Sequence, residues 1–352
     1  MIRYAVVGAG WISQTAFIPA VSVLENSKIT AIVSGSPERA RELAKKHDID
    51  HVYAYEDFDE LLASDIVDAV YIAVPNPLHA TYAIQAAKAG KHVLVEKPIA
   101  TSLPDADAMI STAKAAGVSL MTSYRLHHDV GTIAALQAIR DGRIGRPLFM
   151  SATFSFQSDF GNHRLNVEHW GGPLQDIGIY CINAARHIFE ADPISVSAMS
   201  TRRSDDPRFA DVDDSIAVTM RFPDNRLAQF YCSFGGYPVD SYQIVGTDGL
   251  VVMDPGFRFE QSMSMVLKSR DENEYVSFPH YDQFAGQIAY FSECIEQGKD
   301  PQPCGEEGLA DLEILFAIER AAASGLPQQL ALKKSRARPS EKTLRMIKRV
   351  IA

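Results

Sequence analysis

Cysteine is scarce in this chain, four in 352 residues. Cys181, Cys232, Cys294 and Cys304 stand far apart with no C-x-x-C spacing, which argues against a disulfide framework or a thiolate metal site and leaves them as packing residues. Long apolar runs are missing too: no stretch approaches the roughly 20 residues a bilayer-spanning helix needs. Met1-Ile2-Arg3 runs straight into a strand pattern with no signal-like segment, so the cytoplasm is the expected location. Positive charge is in deficit, with a net charge of -10 at pH 7. Such a chain has no electrostatic pull on nucleic acid or anionic membranes, and a small neutral substrate suits it better. Four histidines, His127, His128, His163 and His169, form no helical H-x-x-x-H pair, and no metal is expected.

Against these absences, 46% hydrophobic content over this length predicts two packed domains. Up to residue 123, short apolar runs alternate with helical patterns. The runs are Tyr4 to Val7, Ile29 to Val33, Val52 to Tyr55, Ala69 to Val74, Val93 to Val95 and Val118 to Met121. Pro37 to Lys46, Pro77 to Ala89 and Leu103 to Ala116 are helical, with Gly90 and Gly117 where a C′ residue is expected. This predicts an α/β domain, residues 1–123, with a doubly wound parallel Rossmann sheet.

Residues 124–352 change character. A helix is expected around Ile133 to Arg140, and from Leu148 to Phe156 apolar side chains alternate with Ser151, Thr153 and Ser155. Similar alternation recurs at Ile194 to Met199, Ile216 to Phe222 and Leu227 to Phe234, while Gln283 to Ile295 and Gly308 to Ala323 read as helices. An α+β domain with an open, mostly antiparallel sheet follows. Its uncovered face predicts a homo-oligomer, most simply a dimer. The basic tail from Leu332, with Lys333, Lys334, Arg336, Arg338, Lys342, Arg345, Lys348 and Arg349 against Glu341, reads as a surface helix or loose tail.

Gly8-Ala9-Gly10-Trp11-Ile12-Ser13 follows the first strand. Gly8 permits a tight turn and Gly10 lets backbone approach a pyrophosphate at a helix N-terminus, although glycine pairs after strands also serve as plain turns. The second strand ends in Ser34-Gly35-Ser36-Pro37-Glu38-Arg39, with no acid at its tip for a ribose 2′-hydroxyl. Ser34, Ser36 and Arg39 suit a 2′-phosphate instead, so NADP(H) is the expected cofactor; helix capping by the serines is compatible with that.

Gly90-Lys91-His92-Val93-Leu94-Val95-Glu96-Lys97-Pro98 resembles the hallmark of the glucose-fructose oxidoreductase (Gfo/Idh/MocA) family. The likeness extends to Val74-Pro75-Asn76 with His79, to Ser123-Tyr124-Arg125 and to Asp176-Ile177-Gly178-Ile179-Tyr180-Cys181-Ile182-Asn183. Asp206-Pro207-Arg208-Phe209, Met253-Asp254-Pro255 and Gly305-Glu306-Glu307-Gly308 add to it. The resemblance implies a dinucleotide across the carboxyl edge of the parallel sheet, with Pro75, Asn76, His79, Glu96 and Lys97 joining Gly8, Gly10, Trp11, Ile12, Ser34, Gly35 and Arg39 as cofactor residues. It also implies that Arg125, Arg164 and Tyr281 line a sugar pocket roofed by the second domain's sheet, although Asn162 to Trp170 departs from the family's glycine-rich pattern.

Asp176 and Tyr180, four apart in a helical pattern, project from one helix face. Oxidising an alcohol needs a base for the hydroxyl proton. A phenol ordinarily ionises near pH 10, and a nearby ammonium lowers that. Tyr180 is therefore the expected acid/base, Lys97 its electrostatic partner and a substrate contact, and Asp176 the group orienting substrate or Lys97. A helix N-terminal carboxylate beside a core tyrosine is the alternative from spacing alone. Inositol dehydrogenases of the family carry histidine at position 180 and often aspartate at 183, so the resemblance leans toward the glucose-fructose oxidoreductase and dihydrodiol dehydrogenase type. The expected activity is an NADP(H)-dependent sugar (aldose) dehydrogenase or reductase. A sugar-sugar oxidoreductase with tightly held NADP and a sensing regulator without turnover are the alternatives. Tyr4 already lies in the first strand, which leaves no N-terminal arm to retain the cofactor, and Lys97, Asp176 and Tyr180 together argue for turnover.

Overall fold

The computed structural model describes residues 1–271, 273–332 and 338–349. In chain order its first elements are β1 (Ile2–Val7), α1 (Ile18–Val21), β2 (Ser27–Val33), α2 (Pro37–Lys46), β3 (His51–Tyr53), α3 (Phe58–Ala63), β4 (Ala69–Ile72), α4 (His79–Lys88), β5 (His92–Val95), α5 (Leu103–Ala116) and β6 (Leu120–Thr122). Then come α6 (Val130–Arg140), β7 (Pro147–Gln157), α7 (Ile179–Ile188), β8 (Ser195–Thr201), β9 (Ser215–Phe222), β10 (Arg226–Ser233), β11 (Gly235–Gly246), β12 (Gly249–Met253), β13 (Ser264–Ser269) and β14 (Asn273–Ser277). The chain ends with α8 (Gln283–Gln297), α9 (Gly305–Ser324) and β15 (Gln328–Gln329). Two compact units share it: the first holds Met1–Asp129, Tyr281–Leu309 and the segment from Glu341, the second Val130–His280 and Ala310–Ser340. Where the sequence pattern suggests one cut after residue 123, the first unit continues to Asp129 and takes up two later segments.

In the first unit the strand order is β3-β2-β1-β4-β5-β6, with every pair parallel. Its strands are apolar on consecutive residues because both faces are covered: Tyr4, Ala5, Val6 and Val7 are all fully buried. α5 ends at Gly117, in the left-handed conformation with φ 66°, which costs a glycine nothing sterically. α8 supplies polar partners that the buried strands lack. Ser292 Oγ lies 2.7 Å from the Tyr4 hydroxyl and 2.8 Å from Ser27 Oγ, and the Ala289 carbonyl accepts from Asn26 Nδ2 at 3.0 Å. Asp282 caps α8 by accepting from the N–H groups of Phe284 and Ala285, both at 2.9 Å, a cap worth about 1 kcal/mol.

The basic tail is neither a surface helix nor loose over its described part. Thr343 is buried and donates to the His127 carbonyl at 2.9 Å, Arg345 pairs with Glu293 at 2.6 Å, and the Ile347 carbonyl accepts from Asp282 N at 2.8 Å. Arg345 is held by an acid of the first unit and Arg338 by the Arg186 carbonyl of the second, so charge density alone misleads there. Lys333, Lys334 and Arg336 lie outside the described residues.

The second unit carries a nine-stranded sheet, β14-β13-β12-β11-β7-β10-β9-β8-β15. Among the described residues, only β7 and β10 of this sheet pair in parallel; its other pairs are antiparallel. Met150, Ala152, Phe154, Val218, Met220, Ala228, Phe230, Tyr242 and Ile244 are buried, and they alternate with Ser151, Thr153, Thr219, Gln229, Tyr231, Ser241 and Gln243, which line a shallow concavity of roughly 520 Å³. Strands β11 to β14 escape the alternation reading. β11 opens on Gly235-Gly236 and shifts register between Gly235 and Val239, and a bulge of this kind erases a strict period of two.

Candidate active site

The first unit places the residues expected to bind cofactor after the carboxyl ends of β1, β2, β4 and β5, the edge at which parallel α/β sheets bind ligands. Gly8 has φ +101°, and a Cβ there would sit 2.5 Å from the Ala73 carbonyl oxygen, so only glycine fits. A Cβ on Gly10 would meet nothing within 4 Å, which keeps this backbone open to a ligand. Ser13, in the third fingerprint position, donates to the Gly8 carbonyl at 2.6 Å and locks the turn. A π-helical turn, Ser13–Phe17, then runs into α1. Trp11 is 51% exposed and Ile12 half-buried.

At the tip of β2, Ser34 Oγ accepts from Ser36 N at 3.2 Å. That uses an acceptor lone pair and leaves the hydroxyl proton to donate. Ser36 itself makes no side-chain cap, and Gly35 and Arg39 are exposed. A hydroxyl donor, open backbone and a guanidinium at the start of α2 fit a 2′-phosphate, and the open Gly8–Gly10 turn fits a pyrophosphate.

Beyond β4 and β5, Pro75 and Asn76 are half-buried at the start of a 3-10 turn. His79, expected as a cofactor contact, is engaged by the protein itself. Its ring is buried, with Nδ1 2.8 Å from the Pro98 carbonyl and Nε2 3.0 Å from the Val74 carbonyl, so it ties two loops together from beneath. Burial pushes its pKa down to about 4, prevailing over the two carbonyls that favour the charged ring. Glu96 is likewise engaged by the protein: Oε1 accepts from Tyr71 Oη at 2.8 Å and Ser123 Oγ at 2.9 Å, and Oε2 from Lys97 N at 3.3 Å. Lys97 follows, half-buried. Arg125 is buried, its Nη1 donating to Gln283 Oε1 at 2.6 Å, while Gln283 Nε2 donates to Asp129. Tyr281, half-buried, pairs through a backbone bridge with Lys348.

In the second unit Asp176 sits in another π-helical turn, Leu174–Gly178, which leads into α7 with Tyr180 on its first turn. Wide turns of this kind recur at functional sites. Asp176 accepts from Arg164 Nε at 2.7 Å, so two predicted residues meet. Tyr180 is 8% exposed, its ring 6.1 Å from that of Phe154, which stacks on Phe257 at 5.3 Å.

The loop presenting Arg164 is fixed by residues that no local pattern announces. Trp170 adopts φ 52°, a strained value for a bulky side chain. Its indole N–H donates to Glu319 at 2.8 Å, and its ring stacks on Phe316. Gln175 donates to the same Glu319 oxygen. Gly171 packs against the Arg164 carbonyl so closely that a Cβ would collide with it. Beneath α7, Asp311 is fully buried and accepts from Asn183 Nδ2 at 2.8 Å and Arg186 Nη1 at 2.7 Å.

Residues 2–124 match the oxidoreductase family, NAD-binding Rossmann fold (Gfo/Idh/MocA), and residues 132–252 match the Gfo/Idh/MocA C-terminal domain. The chain is similar to D-xylose 1-dehydrogenase [NADP(+)] of Haloarcula marismortui, 31% identical over 91% of this chain and 91% of that protein. It is 33% identical to scyllo-inositol 2-dehydrogenase (NADP(+)) IolU of Bacillus subtilis, over 79% of this chain and 84% of that one. Its structure resembles that of aldose-aldose oxidoreductase from Caulobacter crescentus complexed with glycerol, with a TM-score of 0.88 and 34% identity over 94% of this chain and 99% of the other. With both of its domains matched in chain order and these likenesses running nearly end to end, the chain belongs to the Gfo/Idh/MocA oxidoreductase family.

Proposed function

We propose that the chain is an NADP(H)-dependent oxidoreductase acting on a CH–OH group of a sugar or sugar-like polyol, with an aldose as the first choice. The observation that carries this is the carboxyl edge of the first unit's sheet, along which the open Gly8–Gly10 turn follows β1, the Ser34 hydroxyl follows β2 and Lys97 follows β5. Gly8, Gly10, Trp11, Ile12, Ser34, Gly35, Arg39, Pro75 and Asn76 would hold NADP(H), which when bound supplies or accepts the hydride. Lys97, whose charge favours the ionised Tyr180, contacts both the nicotinamide ribose and the substrate hydroxyl. Tyr180 exchanges its proton, giving it when a carbonyl is reduced and taking it when an alcohol is oxidised. Asp176, held by Arg164, orients the sugar. Xylose- and inositol-acting relatives keep both aldoses and cyclic polyols in view. The test follows reduced-cofactor absorbance with D-xylose, other aldoses, ketoses, scyllo-inositol and dihydrodiols, with NADP and then NAD; no turnover on the whole panel would sink the reading.

A second reading has the aldose-aldose oxidoreductase likeness behind it: direct sugar-sugar exchange on a retained cofactor. Denaturing the purified protein and finding about one NADP(H) released per chain would favour it. We also propose a cytoplasmic homodimer formed through the Ser, Thr and Gln-rich outer face of the second unit's sheet. A monomer in analytical ultracentrifugation at micromolar concentration would count against the dimer.

A further inference from the structure

We infer that His79 is a positioning residue for Lys97, an inference that rests on the role proposed for Lys97. The loop after β4 and the loop after β5 leave neighbouring parallel strands, and nothing in strand pairing fixes loops beyond the strand ends. His79, the first residue of α4, spans that gap with one ring: its two nitrogens reach the Val74 and Pro98 carbonyls, one in each loop. Pro98 follows Lys97 directly, so the contact sets the backbone on the C-terminal side of the lysine. Glu96, tied to Tyr71 and Ser123, sets it on the N-terminal side. The lysine is therefore pinned between two anchors, neither of which need touch a substrate.

The ring is 1% exposed, and in its neutral form a single N–H donates to one of the two carbonyls while the second carbonyl faces the other nitrogen without a hydrogen bond; both contacts are bonds only when both nitrogens carry a proton. Its ionised form is opposed by burial first and by the neighbouring Lys97 charge as well. Rigid support of this kind matters because a misplacement of about 1 Å at a catalytic group costs on the order of 10²-fold in rate.

The experiment is a double-mutant cycle between His79→Phe, which keeps a ring without donors, and Lys97→Ala, with NADPH affinity read by fluorescence titration and turnover read with NADP and D-xylose or the fastest sugar of the panel. His79→Phe should raise the NADPH Kd about tenfold and lower kcat about 10²-fold. On the Lys97→Ala background it should lower kcat less than about threefold, because the group it positions is gone. His79→Gln, which keeps an N–H donor, should recover part of both losses, and it carries the same cycle should His79→Phe not fold. A kcat loss of full size added on top of Lys97→Ala would mean a merely structural histidine, and a folded His79→Phe with unchanged Kd and kcat would overturn the inference outright. If Lys97→Ala itself turns over normally, the proposed function fails first, and that result is distinct from either.

Discussion

The two units build their functional surfaces from different materials. At the carboxyl edge of the first unit the backbone does most of the shaping: Gly8 is forced by the Ala73 carbonyl, Gly10 is left bare, His79 meets two main-chain carbonyls, and Glu96 accepts from two hydroxyls and the Lys97 N–H. The second unit works with charged side chains, Asp176 on Arg164 above α7 and Asp311 on Arg186 and Asn183 beneath it. Both mark their functional helices with a π-helical turn. Backbone cradles suit the constant part of a reaction, a dinucleotide, whereas paired side chains can be exchanged to follow a variable sugar.

The sharpest way to break this division of labour is to remove the proton donor of the second unit alone. Tyr180→Phe should lower turnover by about 10²–10⁴, the usual worth of a positioned acid/base. NADPH binding, measured by fluorescence titration, should change little. Near-normal turnover with a deuteride isotope effect showing chemistry to be rate-limiting would make Tyr180 a core residue.

Next in size is the buried ionic cluster. Asp311→Ala removes one of the two carboxylates that pair with the fully buried Arg186 guanidinium, and breaking a buried pair from one side costs about 3–5 kcal/mol. A urea midpoint barely changed would show that Asp192, which also pairs with Arg186 at 2.8 Å, suffices.

Acid should then separate the units. His79 and His128 of the first unit are both buried, and burial brings both down to about 4 from an ordinary 6.5. A folded value below the unfolded one means that the neutral ring stabilises the fold above pH 6.5 and that this contribution is lost as pH falls toward 4, up to about 3 kcal/mol for each ring. Asp240 and Glu319 of the second unit are instead raised by burial, so protonation on the acid side favours its fold. Hydrogen exchange between pH 7 and 4.5 should show the first unit's amides opening first; uniform opening would refute the contrast.

Much of this was legible in residues that act locally. Gly8-Ala9-Gly10 and the acid-free tip of β2 stand out because turn geometry and strand ends are short-range, and Glu96-Lys97-Pro98 stands out by its likeness to a family motif. What escaped depends on partners far along the chain. His79 reads as a ligand contact until its ring is seen against Pro98. α8 reads as part of the second domain until the Tyr4 and Ser27 hydroxyls reveal the need for Ser292. Asn183, a departure from the inositol dehydrogenase pattern, answers to Asp311, 128 positions on; a second carboxylate there would face the first, so the amide reflects packing more than substrate. The second sheet was read only where alternation is clean, in β7, β8, β9 and β10.

The smallest effect tests the first unit at a side-chain-dependent point, the choice between NADP and NAD. Ser34→Asp places a carboxylate where the Ser34 hydroxyl stands, and an Asp oxygen can accept the Ser36 N–H that Ser34 Oγ now accepts, so the turn should survive. What changes is the ligand side: a donor to the 2′-phosphate becomes an anion that repels it while accepting from a ribose 2′-hydroxyl. Arg39→Ala removes an exposed guanidinium near the start of α2, and alanine is a strong helix former, so that helix should also persist. Together the substitutions should weaken NADP relative to NAD by ~1.5–3 kcal/mol, the worth of a charge-assisted hydrogen bond, with the urea midpoint unchanged. If the substituted protein keeps its preference for NADP, the selectivity lies outside the β2 tip, and the backbone cradle would be setting even that choice.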